Sequence, residues 1–222
     1  FSNPNNPTGV IYSPDEIRSI ACLASKYGVS VIVDQLYARQ IFDNRYYTHL
    51  CAQNSLPENL ITIIGPSKTE SLSGYRLGIA FGSGKIISRM EKMQAIVSLR
   101  AGGYSQAVLA SWFREPEGWL ERRIQAHQEI RDDLVAVLHG VEGLKVRKTE
   151  AGSYLFIKAP ELKVSMTDFV KILRVQANVT VTPGTEFGPQ FTRHFRINFS
   201  QNHHDAMEAI KRTIQMMERY RK

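Results

Sequence analysis

In the segment Gly65-Pro66-Ser67-Lys68-Thr69-Glu70 a lysine stands just past a short apolar run, beside a serine and eight residues ahead of Arg76. A lysine amine held near neutrality by its surroundings can condense with an aldehyde. Arg76 offers a planar fork of donors that matches a phosphate, and Gly74 and Gly78 on either side let backbone approach such a group closely. Asp34 ends another apolar run, with Tyr37 three residues further on. A carboxylate with little water around it can hold a pyridinium nitrogen protonated, which makes an aromatic cofactor an electron sink. Tyr37 could donate a hydrogen bond to an oxygen of the same ring. Asn6, between Pro4 and Pro7, is a further polar group near the front of the chain. Each has a plainer reading when taken singly: a solvated loop lysine, a strand-end or capping aspartate, a turn asparagine. Only the combination carries weight.

The elements that must position these residues are legible around them. The first nine residues, with Pro4, Pro7 and Gly9, form a turn-rich loop. Ser13-Pro14-Asp15-Glu16 is a capping box with proline at the first helical position, and Gly28 ends the helix it opens. The β-branched run from Val29 to Asp34 predicts a buried strand ending in a carboxylate, and Leu60 to Ile64 and Leu77 to Phe81 predict two more. Polar residues therefore cluster where strands end, which is where open α/β sheets place their ligands. From about Ser83 the pattern turns to long helices, broken near Gly102-Gly103 and at Pro116 and Gly118. Strands near Lys145, Tyr154, Val181 and Arg196 follow, with helices from about Thr167 and His204. The expected organisation is α/β: residues 1–115 as part of a larger domain with a mixed, mostly parallel sheet, and 116–222 as a smaller α+β domain. Three strands leave the first sheet short of partners, so the chain reads as a fragment whose other half lies upstream.

Composition bounds the partners. The 222 residues are 43% hydrophobic and 22% charged, with no apolar run long enough to span a membrane. Two cysteines, Cys22 and Cys51, make no disulfide framework, and an intracellular, cytoplasmic setting is expected. The net charge of +7 is spread along the chain without a basic stripe or a nucleic-acid signature, so no nucleic-acid partner is expected. The six histidines show no metal spacing, and no metal is expected. Met216 and Met217 read as core of the last helix.

The set NPNNPTG, DQLY and SKTESLSGYRLG, in that order, resembles the class I and II aminotransferases, fold type I enzymes that use pyridoxal phosphate. VTPGTEFG (181–188), GSYLFIKAP (152–160) and FRINFS (195–200) are similar to segments of that family's small domain, so the likeness covers essentially the entire chain. The resemblance implies a role for each matching residue. Lys68 binds the cofactor covalently and, once released, shuttles a proton; Asp34 pairs with the pyridine nitrogen; Tyr37 and Asn6 hydrogen-bond the phenolic oxygen. Arg76 binds the phosphate, and Arg196 grips the substrate α-carboxylate bidentately, with Asn6 beside it. It also implies transamination between an L-amino acid and a 2-oxo acid, and a homodimer with shared active sites.

Two departures stand out. The family usually has Ser or Thr three residues before the lysine, where this chain has Gly65, leaving Ser67 as the hydroxyl that could take up the phosphate. Arg100, in SLRAGGYS, is similar to a segment whose arginine binds a distal carboxylate, but the match is offset by one residue; the plainer reading is an exposed helix-end arginine. The same residues would also serve an elimination, cyclisation or oxidation on the same cofactor, or an aminotransferase-like effector domain of a transcription regulator. The upstream phosphate loop and ring-stacking aromatic of the family are outside this sequence.

Overall fold

Glu16 N donates to Ser13 Oγ at 3.2 Å and Ser13 N donates back to the Glu16 carboxylate at 2.7 Å, the two bonds of the capping box. The computed structural model describes residues 1–222, and its first helix, α1, runs Pro14–Tyr27. Gly28 closes it at φ 63°, a conformation that costs glycine nothing. Val29 N then reaches back to Ala24 O at 2.9 Å. The amide of Val29 is therefore spent on the helix end, and the strand expected from Val29 starts two residues later, at Val31.

That strand, β1 (Val31–Asp34), pairs in parallel with β2 (Leu60–Ile64), which pairs antiparallel with β3 (Ile79–Gly82). The sheet is mixed, with one parallel and one antiparallel pairing. Segment 1–3 lies along the free edge of β1, through a parallel bridge from Ser2 to Asp34 and bonds from Asp34 N to Phe1 O (3.0 Å) and Asn3 N to Asp34 O (2.9 Å). β3 begins at Ile79 rather than at Leu77, because Ile64 is its last partner and Gly65-Pro66 turns out of the ladder. Ile17, Ala21 and Ala24 of α1 pack with Val31, Val33, Leu50 and Leu60 into one apolar cluster. Two helices follow, α2 (Gly84–Val97) and the short α3 (Gly103–Ala107).

The long helix α4 (Trp119–His139) leads to a second sheet built from β4 (Lys145–Val146), β5 (Tyr154–Lys158), β6 (Thr182–Pro183) and β7 (His194–Asn198). Its order is β4-β5-β7-β6, antiparallel throughout. Helices α5 (Met166–Gln176) and α6 (His203–Tyr220) complete this part, capped by Ser165 and Asn202. Alternate residues of the strands go inward, Leu155 and Ile157 on β5 and Phe195 and Ile197 on β7. Phe169, Leu173, Ile210, Met216 and Met217 of the helices are buried as well.

The chain divides into two units. One comprises Phe1–Asn5, Val10–Glu121 and Glu150–Gly152; the other Asn6–Gly9, Arg122–Thr149 and Ser153–Lys222. The two short exchanges matter for the site. Segment 150–152 lies against 40–42 through bonds from Phe42 N to Glu150 O and Gly152 N to Gln40 O, both 2.9 Å, and so belongs with the first unit. Thr149 Oγ1 is within reach of both Thr8 O (3.0 Å) and Tyr154 O (2.9 Å), which ties the Asn6 loop to the second. No helix is long and apolar enough to cross a membrane.

Candidate active site

Asp34 and Lys68 come from the carboxyl ends of two neighbouring parallel strands. Asp34 is the last residue of β1 and pairs in register with Ile63, and Gln35 N adds a bond to Ile63 O at 2.8 Å. The chain then turns, with Ala38 N bonded to Gln35 O (3.0 Å) and Gln40 N to Tyr37 O (2.9 Å). On β2 the equivalent turn is Gly65-Pro66-Ser67-Lys68, closed by Ser71 N to Lys68 O (3.0 Å) and Leu72 N to Pro66 O (3.1 Å). Parallel pairing brings the two turns to the same end of the sheet, where they leave the ladder.

Tyr37 and Lys68 meet there. The Lys68 amine lies 5.7 Å from the centre of the Tyr37 ring. Tyr37 is buried, and a Cβ added at Gly152 would sit 3.3 Å from its Cδ1. Gly152 thus backs the ring with bare backbone, at a φ of 80° that side-chain-bearing residues rarely adopt. Asp34 is half-buried; its Oδ1 accepts from Leu36 N at 3.0 Å. Its charge is felt next door: burial, and then the charges at Cys51 and Asp34, push the Tyr47 phenol well above its ordinary value. Tyr47 donates to Asn3 O at 2.6 Å and meets His49 edge to face. Burial lowers the pKa of His49, whose Nδ1 is 3.0 Å from Gln35 Oε1.

Ser67 is half-buried beside the lysine. Gly65 is buried, and the space explains its identity: a Cβ there would lie 3.0 Å from Leu36 Cδ2 and 3.1 Å from Leu77 O. The end of β2 passes so close to the start of β3 that a hydroxyl-bearing residue is crowded at this position. Arg76 is exposed, with backbone in the left-handed region (φ 52°), and its Nη1 donates to Ser73 O at 2.8 Å. Arg100 is also exposed and faces Glu91 at 3.7 Å, just beyond α2.

Arg196 and Asn6 lie in the second unit and are brought together. Arg196 Nη1 donates to Asn6 Oδ1 at 2.9 Å, and Nη2 to Thr182 Oγ1 at 3.3 Å. The guanidinium carbon stands 4.0 Å from the Tyr154 ring centre and 4.9 Å from that of Phe187. Registers place these groups: Thr182 pairs with Arg196, and Tyr154 on β5 runs beside β7. Sequence reasoning missed Thr182, Tyr154 and Phe187. Each sits inside a segment that pointed to this domain, but no residue spacing says that a guanidinium lies over the rings.

Pyridoxal phosphate calls for an amine, a carboxylate for its ring nitrogen, a hydroxyl for its phenolic oxygen and a cation for its phosphate. Lys68, Asp34, Tyr37 and Arg76 of the first unit are such a donor set, with Tyr37 buried against Gly152. These residues fit the group.

A family model described as aminotransferase class I and II matches residues 1–212. The structure of an aspartate aminotransferase from Rhodobacter sphaeroides 2.4.1 is 60% identical, with a TM-score of 0.98 over 100% of this chain and 56% of that one. An aspartate aminotransferase from Rhizobium meliloti is 26% identical, with a TM-score of 0.88 over 99% of this chain and 57% of that one. Among curated relatives, an aspartate aminotransferase from Pyrococcus horikoshii is 28% identical over 218 residues, 97% of this chain and 55% of its own length. The chain thus spans a little over half the length of these relatives.

Proposed function

The chain belongs to the class I and II aminotransferases, and we propose that it serves a pyridoxal-phosphate-dependent transfer of an amino group from an L-amino acid to a 2-oxo acid. The observation that carries the reading is the Lys68 amine beside the buried Tyr37, at the strand ends that also present Asp34. The α/β architecture is that of the fold type I enzymes. On this reading residues 1–115 belong to the cofactor-binding domain and 116–222 to the smaller one.

Bound pyridoxal phosphate supplies the electron sink that weakens the substrate Cα–H bond. With the cofactor bound, Lys68 would be the residue that holds it covalently, and its Nζ, once released, would carry the proton removed from the substrate Cα. Asp34 would hold a proton on the pyridine nitrogen by placing a negative charge against it. With the cofactor bound, the Tyr37 hydroxyl would donate to its phenolic oxygen, a role the family resemblance also gives the Asn6 amide, and Arg76, with Ser67, would bind its phosphate. Arg196 takes the α-carboxylate in its fork. Asn6 and Thr182 hold the fork at its two ends and the Tyr154 ring supports its face, so little rotamer freedom is left to lose on binding.

Aspartate is the first amino donor to try, since the Rhodobacter sphaeroides and Rhizobium meliloti structures are named for it. Arg100 is the candidate for a distal carboxylate, and its exposure leaves it able to reach a ligand. The family resemblance supports a homodimer in the cytoplasm. The test is to incubate the complete protein with pyridoxal phosphate, aspartate and a 2-oxo acid, and to follow the new amino acid. Release of ammonia with no amino acid formed would replace transamination by elimination.

A further inference from the structure

We propose that Arg39 and Glu70 form a positioning pair that holds the Lys68 amine in register with Tyr37, an assignment that rests on Lys68 being the cofactor lysine. Arg39 follows Tyr37 by two residues and Glu70 follows Lys68 by two. Both stand on the turns where β1 and β2 have ended and the ladder no longer joins them. There Arg39 Nη1 donates to Glu70 Oε1, so one ion pair bridges the tyrosine turn to the lysine turn.

The surroundings make this bridge stiffer than a surface pair. The side chains of Arg39 and Glu70 are 21% and 7% exposed, where solvent screening is weak. Arg39 Nη1 also donates to Glu115 Oε1 at 2.8 Å, and its Cζ stands 4.5 Å from the centre of the Phe113 ring. The hydrogen bond from Arg39 keeps the Glu115 carboxyl below its ordinary value. Arg39 is thus held by Phe113 and Glu115, and the nitrogen that meets Glu115 also meets Glu70. Removing Glu70 leaves the guanidinium anchored but no longer attached to the lysine turn. Removing Glu115 does the reverse, and the two variants separate positioning from plain stability.

The consequence is chemical as well as mechanical. With the cofactor bound to Lys68, a Tyr37 hydroxyl near the phenolic oxygen would lower the proton affinity of the adduct, and that contact would depend on the lysine and tyrosine turns keeping their spacing, here 5.7 Å from amine to ring centre. Loosening one turn against the other weakens that effect.

The experiment compares wild type, Glu70→Ala, Glu115→Ala and Arg39→Lys in the complete protein loaded with pyridoxal phosphate; alanine is used because a glutamine oxygen would still accept from Arg39. Read-outs are cofactor affinity, the pH dependence of the lysine-bound visible absorbance, and amide hydrogen exchange over residues 66–72. Glu70→Ala is expected to weaken cofactor binding about tenfold, move the absorbance transition to higher pH and speed exchange in the lysine turn. Glu115→Ala should leave the absorbance profile and that exchange at wild-type values, and Arg39→Lys should fall between. A Glu70→Ala protein with wild-type absorbance profile and exchange overturns the proposal. If borohydride fails to fix the cofactor on Lys68 of the wild type, the functional reading falls instead. The exchange comparison then decides the pairing alone, and unchanged exchange in Glu70→Ala counts against it.

Discussion

Arg196 Nη1 donates to Asn6 Oδ1 at 2.9 Å although 190 positions separate them in sequence. The carbonyl of an asparagine side chain can only accept, so it orients the guanidinium without competing for its remaining donors. Thr182 Oγ1 takes the other nitrogen, and Tyr154 lies beneath the plane. The N–H groups that Asn6 and Thr182 leave over are the basis for proposing Arg196 as the carboxylate-binding residue.

Arg196→Lys keeps the charge but loses the fork and its stacking on Tyr154. In the complete protein the KM for the amino acid is expected to rise about 10–100-fold, the cost of a hydrogen bond to a charged group. Asn6→Ala should raise it less, because Thr182 still holds one end. Steady-state kinetics with the amino acid varied decide this; an unchanged KM in Arg196→Lys removes it from the substrate carboxylate.

Lys68→Ala is expected to abolish covalent cofactor attachment while leaving the fold intact, since the lysine is half-buried on a turn and outside the apolar cluster. Borohydride reduction followed by peptide mass analysis should mark Lys68 in the wild type and no residue in the variant. Label found on another lysine would move the cofactor elsewhere.

Much of this arrangement was legible in the sequence because it is local. The Ser13 capping box and Gly28 gave the bounds of α1, and Leu60 to Ile64 marked β2 from end to end. Lys68, Asp34 and Tyr37 sit next to strand ends, where polarity changes abruptly along the chain. What escaped is what folding brings together over distance. Neither the Arg39–Glu70 pair nor the stacking of Arg196 on Tyr154 has a sequence spacing to betray it. The late start of β1 escaped for a different reason: Val29 looks like strand, but the helix end claims its amide.

Gly65→Ser restores the hydroxyl that the family usually carries, into a space already filled. The added Cβ would press on Leu36, which can move, and on the Leu77 carbonyl, which is backbone. A loss of about 1–3 kcal/mol in unfolding free energy is expected from such overpacking, with no gain in pyridoxal phosphate affinity. Urea denaturation and cofactor titration of the variant check both halves. Tighter cofactor binding at unchanged stability would show that β2 and β3 can part there at no cost.

Acid should weaken the fold through its shielded histidines. Burial is the main reason that the pKa values of His49, His127 and His194 lie below 6.5, with the charges of Lys158 and Arg193 adding to the effect at His194. Because the folded values are lower, the unfolded chain takes up these protons first as the pH drops. Their stabilising contribution is complete above the unfolded value of 6.5 and is lost as the pH falls through the lowered folded values. The urea midpoint is therefore expected to decline between about pH 7 and pH 5, before most carboxylates titrate. His194 is the one to replace, since it stacks on Phe156 at 5.1 Å and sits two residues from Arg196. His194→Gln should lower the midpoint at neutral pH by losing that stacking, yet make its decline on acidification shallower. A variant with the wild-type slope would locate the acid sensitivity in other groups.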